Sequence, residues 1–231
     1  MIVSHSRKII FIHVPKCMGS TIHTALRSEI VNCFDVEIGV TLPGEFYQNQ
    51  VLSEYKIHKH SKYRDITSVF DEKLLSEFRF LSSIREPTAR FVSAFYHLKR
   101  NVNQSWIVNS DDYSLVKAID KYEDIYQFAE SDLWKEYGRI AGLFDKQIDF
   151  YSSENGDAIK VNLIRDTDIK NDLEKTLHSL LGVNKELDVK HINENAYENY
   201  EKPYLKKIIY EYYLKDYLLY ERIQNGTLRD M

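Results

Sequence analysis

The sequence predicts an α/β fold: an open parallel sheet flanked by helices, with a helical C-terminal part. Three observations carry this. Two short apolar runs, at 8–14 and 79–84, have the density of apolar residues that marks strands buried on both faces. Each run passes through a tight turn directly into a stretch with helical apolar spacing. Beyond the second run, amphipathic helical patterns dominate to the end of the chain.

The elements follow in order. Residues 8–14 (KIIFIHV) make the first strand, ended by Pro15, which has no N–H to give a ladder. Ile22, Ala25 and Leu26 then recur at helical spacing, with Ser20 or Thr21 placed to cap the first turn. Residues 32–50 hold Gly39, Pro43 and Gly44 and read as a short strand and a loop. Residues 53–58 (SEYKIH) read as a strand running into His58-Lys59-His60. Val69, Leu74, Leu75 and Phe78 mark an amphipathic helix, with Asp71 and Glu72 near its N-terminal end where the dipole favours them.

Residues 79–84 form the second buried strand, and Pro87 suits the first position of the helix after it. Phe91, Phe95 and Leu98 place one apolar stripe on that helix. Residues 101–110 are polar and read as a loop. Residues 113–143 read as two helices, with Leu115, Ile119, Tyr122, Ile125, Tyr126 and Ala129 facing the core. Residues 160–164 (KVNLI) make a short strand. Residues 168–181 make a helix with Leu173, Leu177, Leu180 and Leu181 inward, closed by Gly182. A polar loop at 191–195 precedes a last helix from 203 to 223. No repeat, low-complexity tract or linker interrupts the chain, so a single domain over 1–231 is expected.

The chain has 231 residues and 43% apolar content, enough for one well-buried core. A net charge of −4 provides no global basic field to steer polyanions, which argues against a general nucleic-acid or membrane-surface binder. Cys17 and Cys33 are too few for a disulfide framework, and no histidine stands at zinc spacing from them. The N-terminus lacks the basic and long apolar regions of a signal peptide, and no apolar run is long enough to span a membrane. The expectation is a soluble cytoplasmic protein, or a domain excised from a longer one.

Strand, tight loop and helix N-terminus together make a phosphate cradle, and Lys16 adds a full charge beside it. The loop is not GxxxxGK[ST], because Lys16 precedes Gly19 rather than following it. Val14-Pro15-Lys16-Cys17-Met18-Gly19-Ser20-Thr21, set after His13, resembles the 5′-phosphosulfate loop of sulfotransferases. The likeness is closest to the carbohydrate-type (family 2) enzymes, with a P-loop-like fold and a loop of the form H-[VI]-P-K-x-x-G-[TS]-[ST]. A second block, IREPTARFVSAFYH at 84–97, resembles their 3′-phosphate motif, R-[DN]-P-x-x-R-x-x-S-x-[YF]. Glu86 departs from that pattern but keeps an acceptor. His191-Ile192-Asn193 and the later Tyr213 with Asp216-Tyr217 extend the likeness over nearly the whole chain.

The resemblance implies a transferase that moves a sulfuryl group from 3′-phosphoadenosine-5′-phosphosulfate (PAPS) to an acceptor hydroxyl. The acceptor it implies is a carbohydrate, a saccharide or glycolipid, with no metal and no nucleic acid involved. Lys16, the backbone of Gly19, and the hydroxyls of Ser20 and Thr21 would hold the 5′-phosphosulfate. Arg85 and Ser93 would hold the 3′-phosphate, arginine suiting it because its planar fork binds oxygens in pairs. The competing readings are a helix-end ion pair for Arg85 and solvent exposure for Ser93. For Arg90 they are a phosphate contact or a surface ion pair. Lys16 would also stabilise the leaving phosphate oxygen.

In these enzymes a histidine base lies between the two blocks, and Lys59-His60-Ser61 matches its place. His60 is therefore the candidate base, with Lys59 and Lys62 disfavouring its imidazolium; a glutamate, as in other branches of the superfamily, is the alternative. His58 faces the other way if it lies on a strand, and His13 satisfies a core hydrogen bond. His23, His97, His178 and His191 read as surface, and Asn193 approaches the adenine by resemblance. Two rival functions stay open: a P-loop kinase or NTPase, which the lysine position disfavours, and a non-catalytic nucleotide-binding module. Met18, where a small residue is commoner, leans toward the module.

Overall fold

The computed structural model describes residues 1–31, 35–37, 57–104, 113–139, 142–182, 184, 186–189 and 200–226. Its strands are β1 (Ile2–Ser4), β2 (Ile9–Ile12), β3 (Val36–Glu37), β4 (Arg79–Ile84) and β5 (Val161–Arg165), in the order β3-β1-β2-β4-β5. β2, β4 and β5 run parallel, with Ile12 opposite Ser82 and Ile84 opposite Arg165. β1 pairs antiparallel with both β2 and β3. The parallel sheet read from the sequence is therefore its centre, and an antiparallel margin is added by strands too short to show a period.

The alternation along β2 builds two core layers. Ile9 and Phe11 pack with Ile22 and Leu26 of α1 (Gly19–Ile30) and with Leu173 and Leu177 of α7 (Ile169–Leu181). Ile10 and Ile12 face the opposite layer, with Ile66 of α2 (Tyr63–Thr67), Leu75 of α3 (Glu72–Leu75), Phe150, and Leu219 of α9 (Leu214–Gln224). A third cluster lies beside the sheet. It gathers Phe91 and Phe95 of α4 (Pro87–Asn101), Val116 of α5 (Tyr113–Lys117), Phe128 of α6 (Ile125–Glu130), Leu205 of α8 (Lys202–Ile209), and Trp134, Phe144 and Tyr213.

Several elements are shorter than their periodicity predicts. The helix expected around 69–78 is only α3, because Asp71 caps it by accepting the N–H groups of Lys73 and Leu74. Among the described residues, the two helices expected over 113–143 are four pieces, α5, a 3₁₀ turn at Ala118–Lys121, α6 and a 3₁₀ stretch at Leu133–Arg139. Asp124 forces one break by capping α6. The long final helix is divided into α8 and α9, and the tertiary contact of Tyr213 explains the division. Its ring stacks on Trp134 at 5.6 Å and its hydroxyl donates to the Phe144 carbonyl at 2.6 Å. Residues 57–60 are not strand. The rest of the strand expected at 53–58, Cys33, and the loop at 191–195 with Asn193 lie outside the described residues. Pro87 does open α4, and Gly182 closes α7 at φ 67°.

The chain leaves β2 through α1 to β3 on one side and later enters β4 on the other. That reversal opens a crevice at the carboxyl ends of β2 and β4. Among the described residues no helix is long and apolar enough to cross a membrane.

Candidate functional site

Residues 13–18 join β2 to α1. Lys16 and Met18 have φ of 63° and 59°, the left-handed region that L side chains enter at a cost, so the turn is held by its surroundings. Met18 is the N-cap and makes no side-chain cap, which corrects the cap expected from Ser20 or Thr21. Those two residues instead follow Gly19 in the first turn, Ser20 half-buried and Thr21 buried. Only glycine fits at Gly19: an added Cβ would lie 2.2 Å from the His13 ring. That ring is packed against Phe11 and, edge-on at 4.8 Å, against His60. Among the described residues the buried Nδ1 of His13 has no hydrogen-bond partner, so no core bond is made through that atom, and the ring serves in packing.

The second turn leaves β4. Glu86 caps α4 by accepting from the Ala89 N–H and the Thr88 hydroxyl, both at 2.9 Å. The acceptor it keeps in place of Asp or Asn is thus an N-cap. Arg85 Nη1 donates to the Lys16 carbonyl at 3.2 Å, which brings the two turns into contact. Its Nε stands 3.5 Å from Asp166 Oδ2, at the end of the neighbouring β5, so the competing ion-pair reading also holds for this residue. Arg90 corrects both readings made for it. It is buried, and its guanidinium donates to the carbonyls of Pro15 at 3.0 Å, Asp145 at 2.6 Å and Gly142 at 3.1 Å. Ser93 is buried rather than solvent-exposed, and shares a face of α4 with His97 and Arg100 at spacings of four and seven.

Lys16 projects among cations. Burial, then the charges of Arg100, Arg85 and Lys59, bring its ammonium down to about 8. The same group surrounds His97, which burial, Lys16, Arg100 and Lys59 lower to about 4. A half-buried knot of positive charge at the carboxyl end of a sheet is stabilised by an anion.

His60 lies beside it. Its Nδ1 lies 2.9 Å from the His13 carbonyl, which can only accept, so Nδ1 carries the proton and Nε2 keeps a lone pair. Burial above all, with Lys59 adding to it, lowers His60 to about 3. Lys62, expected to help, is tied to Asp145 instead. His58 is exposed and accepts from the His60 N–H at 3.1 Å. His23 and His97, expected at the surface, are buried and half-buried.

Lys16, Gly19, Arg85 and His60 therefore meet at one crevice, with Ser20 and Thr21 on the first turn of α1 and Ser93 in the second turn of α4. Sequence reasoning missed the place of His97 and Arg100 in this cluster, and it missed Gln147, whose side chain bonds to both turns. The Ser93–His97–Arg100 spacing could have found two of them; Gln147 carries no local signal. No curated protein and no solved structure matches the chain. The paired strand-to-helix turns and their cations are nonetheless set within a match to one family model, described as the sulfotransferase family, over residues 1–221. The chain belongs to the sulfotransferase family and is a transferase.

Proposed function

We propose that the protein transfers a sulfuryl group from PAPS to an acceptor hydroxyl on a carbohydrate. The observation that carries this reading is the contact between the two turns at Lys16 and Arg85, within a cluster of cations that includes Lys59 and Arg100. A nucleotide with phosphate at both its 5′ and 3′ ends presents two separated anions, and the crevice offers a cationic group to each. The fit is good on the first turn, where Gly19 packs against the His13 ring to open α1 and the helix N-terminus adds its dipole. On the second, Arg85 keeps guanidinium N–H groups beyond the one given to Lys16.

PAPS supplies the sulfuryl group, with its 5′-phosphate as leaving group. Lys16 would hold the 5′-phosphosulfate with the Gly19 backbone and the Ser20 and Thr21 hydroxyls, and would neutralise charge as it develops on the leaving oxygen. Arg85 and Ser93 would hold the 3′-phosphate. His60 would take the acceptor hydroxyl proton at Nε2, its ring fixed by the Nδ1 bond to the His13 carbonyl. Burial leaves His60 unprotonated at neutrality, although a basicity this low lies further from the operating pH than a general base prefers.

Thermal melting with ligands tests the reading. Adenosine 3′,5′-bisphosphate should raise Tm more than ATP with magnesium does, and a labelled sulfuryl group should pass from PAPS to a saccharide. Stabilisation by ATP with magnesium alone would point to the kinase reading. Stabilisation by the bisphosphate with no transfer across a broad set of hydroxyl acceptors would point to a binding module.

A further inference from the structure

Gln147 lies outside both motifs, at the start of the 3₁₀ helix Gln147–Tyr151, and its side chain is fully buried. Its Oε1 accepts from the Cys17 thiol at 3.0 Å and from the Arg85 N–H at 2.9 Å, and its Nε2 donates to the Arg85 carbonyl at 2.8 Å. Because a peptide N–H only donates and a carbonyl only accepts, this orientation of the amide is dictated. The side chain therefore pairs with the Arg85 peptide as a further strand would, just where β4 ends. Its second lone pair meanwhile holds the middle of the first turn. Burial pushes the Cys17 thiol up to about 12, which leaves it the proton it donates.

Gln147 is fixed in turn. Its N–H and that of Ile148 donate to the two oxygens of Asp216, at 2.7 Å and 3.0 Å, and Asp216 is anchored in α9. A buried amide is unfavourable unless its polar atoms are paired, and packing alone would accept an apolar side chain here. What the amide adds is a set of three bonds shared between the two turns.

We infer that Gln147 is a positioning residue that sets the spacing of the two phosphate sites, so that one nucleotide engages both at once. This rests on the two-phosphate reading above. A ligand with both phosphates depends on the spacing between the turns, whereas a ligand with one phosphate depends on a single turn.

The test compares wild type with Gln147→Met, which has similar length, lacks the three side-chain bonds and retains the main-chain bonds to Asp216. Each protein is titrated with adenosine 3′,5′-bisphosphate, adenosine 5′-phosphate and adenosine 3′-phosphate, and its Tm without ligand is recorded. The bisphosphate should bind about tenfold more weakly to the variant, as expected for buried hydrogen bonds lost, with smaller losses for the monophosphates. Gln147→Glu carries the test should Gln147→Met not fold. It should be weak above neutrality, yet approach wild type at the same pH as the pH falls, because a protonated carboxyl can donate to the Arg85 carbonyl as the amide does. A wild-type preference for the bisphosphate that survives intact in the variants, even with lowered Tm, overturns the inference alone. Equal binding of all three nucleotides by wild type overturns the two-phosphate reading and this inference with it.

Discussion

At the scale of the residue, Lys16 and His60 carry the testable chemistry. The Lys16 ammonium, ordinarily at 10.5, stands near 8 in the fold, so the unfolded chain binds the extra proton between those values. Its contribution to stability is therefore absent below about 8 and grows as pH rises through that window. An arriving anion reverses this and draws the proton back. Binding of adenosine 3′,5′-bisphosphate near pH 8 should take up protons, seen by calorimetry in buffers of different ionisation enthalpy, and Lys16→Ala should abolish the uptake. The same substitution should lower turnover by ~10²–10³, with a smaller loss of product affinity. His60→Ala should lose roughly 10²–10⁴ in turnover at unchanged donor affinity. Because burial holds His60 near 3, the pH profile of kcat/KM should lack an acidic limb at the ordinary histidine value of 6.5. A limb there that persists in His60→Ala would assign it to another group and move the base elsewhere.

At the scale of the element, the strand-to-helix turn is the unit that works. Gly19→Ala sets a methyl against a histidine ring that Phe11 and His60 prevent from moving aside. It should destabilise by about 1–3 kcal/mol in urea unfolding, and His13→Ala in the same chain should recover part of that loss. The turns were legible because their signals are local: Pro15 and Pro87 fix where backbone donors are missing, and a glycine after a lysine marks a close approach. Gly182 was legible for the same reason. The breaks between α5 and α6 and between α8 and α9 follow instead from Asp124 capping and from Tyr213 stacking on Trp134. Apolar periodicity continues through both breaks and so concealed them. Arg90 was misread since nothing in its sequence neighbourhood says that three carbonyls from elsewhere will enclose it. Gln147 was missed for the same reason, its partners being distant in the chain.

At the scale of the whole molecule, Arg90 and Gln147 join parts that the sequence presents separately. Arg90 ties α4 to the Pro15 carbonyl of the first turn and to the segment at 142–145. Arg90→Met would strand three buried carbonyls, and the urea midpoint should report a loss of about 3 kcal/mol. Three apolar clusters surround the sheet and its helical neighbour, and the crevice opens at the carboxyl ends of β2 and β4. On the function proposed above, two turns in that crevice form one site for a nucleotide with phosphate at both ends. Calorimetric titration of wild type and Arg85→Ala with adenosine 3′,5′-bisphosphate and adenosine 5′-phosphate tests it most directly. The substitution should weaken the bisphosphate by about 1.5–3 kcal/mol, the range for a charge-assisted hydrogen bond, and leave the 5′-phosphate nearly unchanged. Equal losses for both nucleotides would show that Arg85 only supports the fold, and would contradict the two-phosphate site.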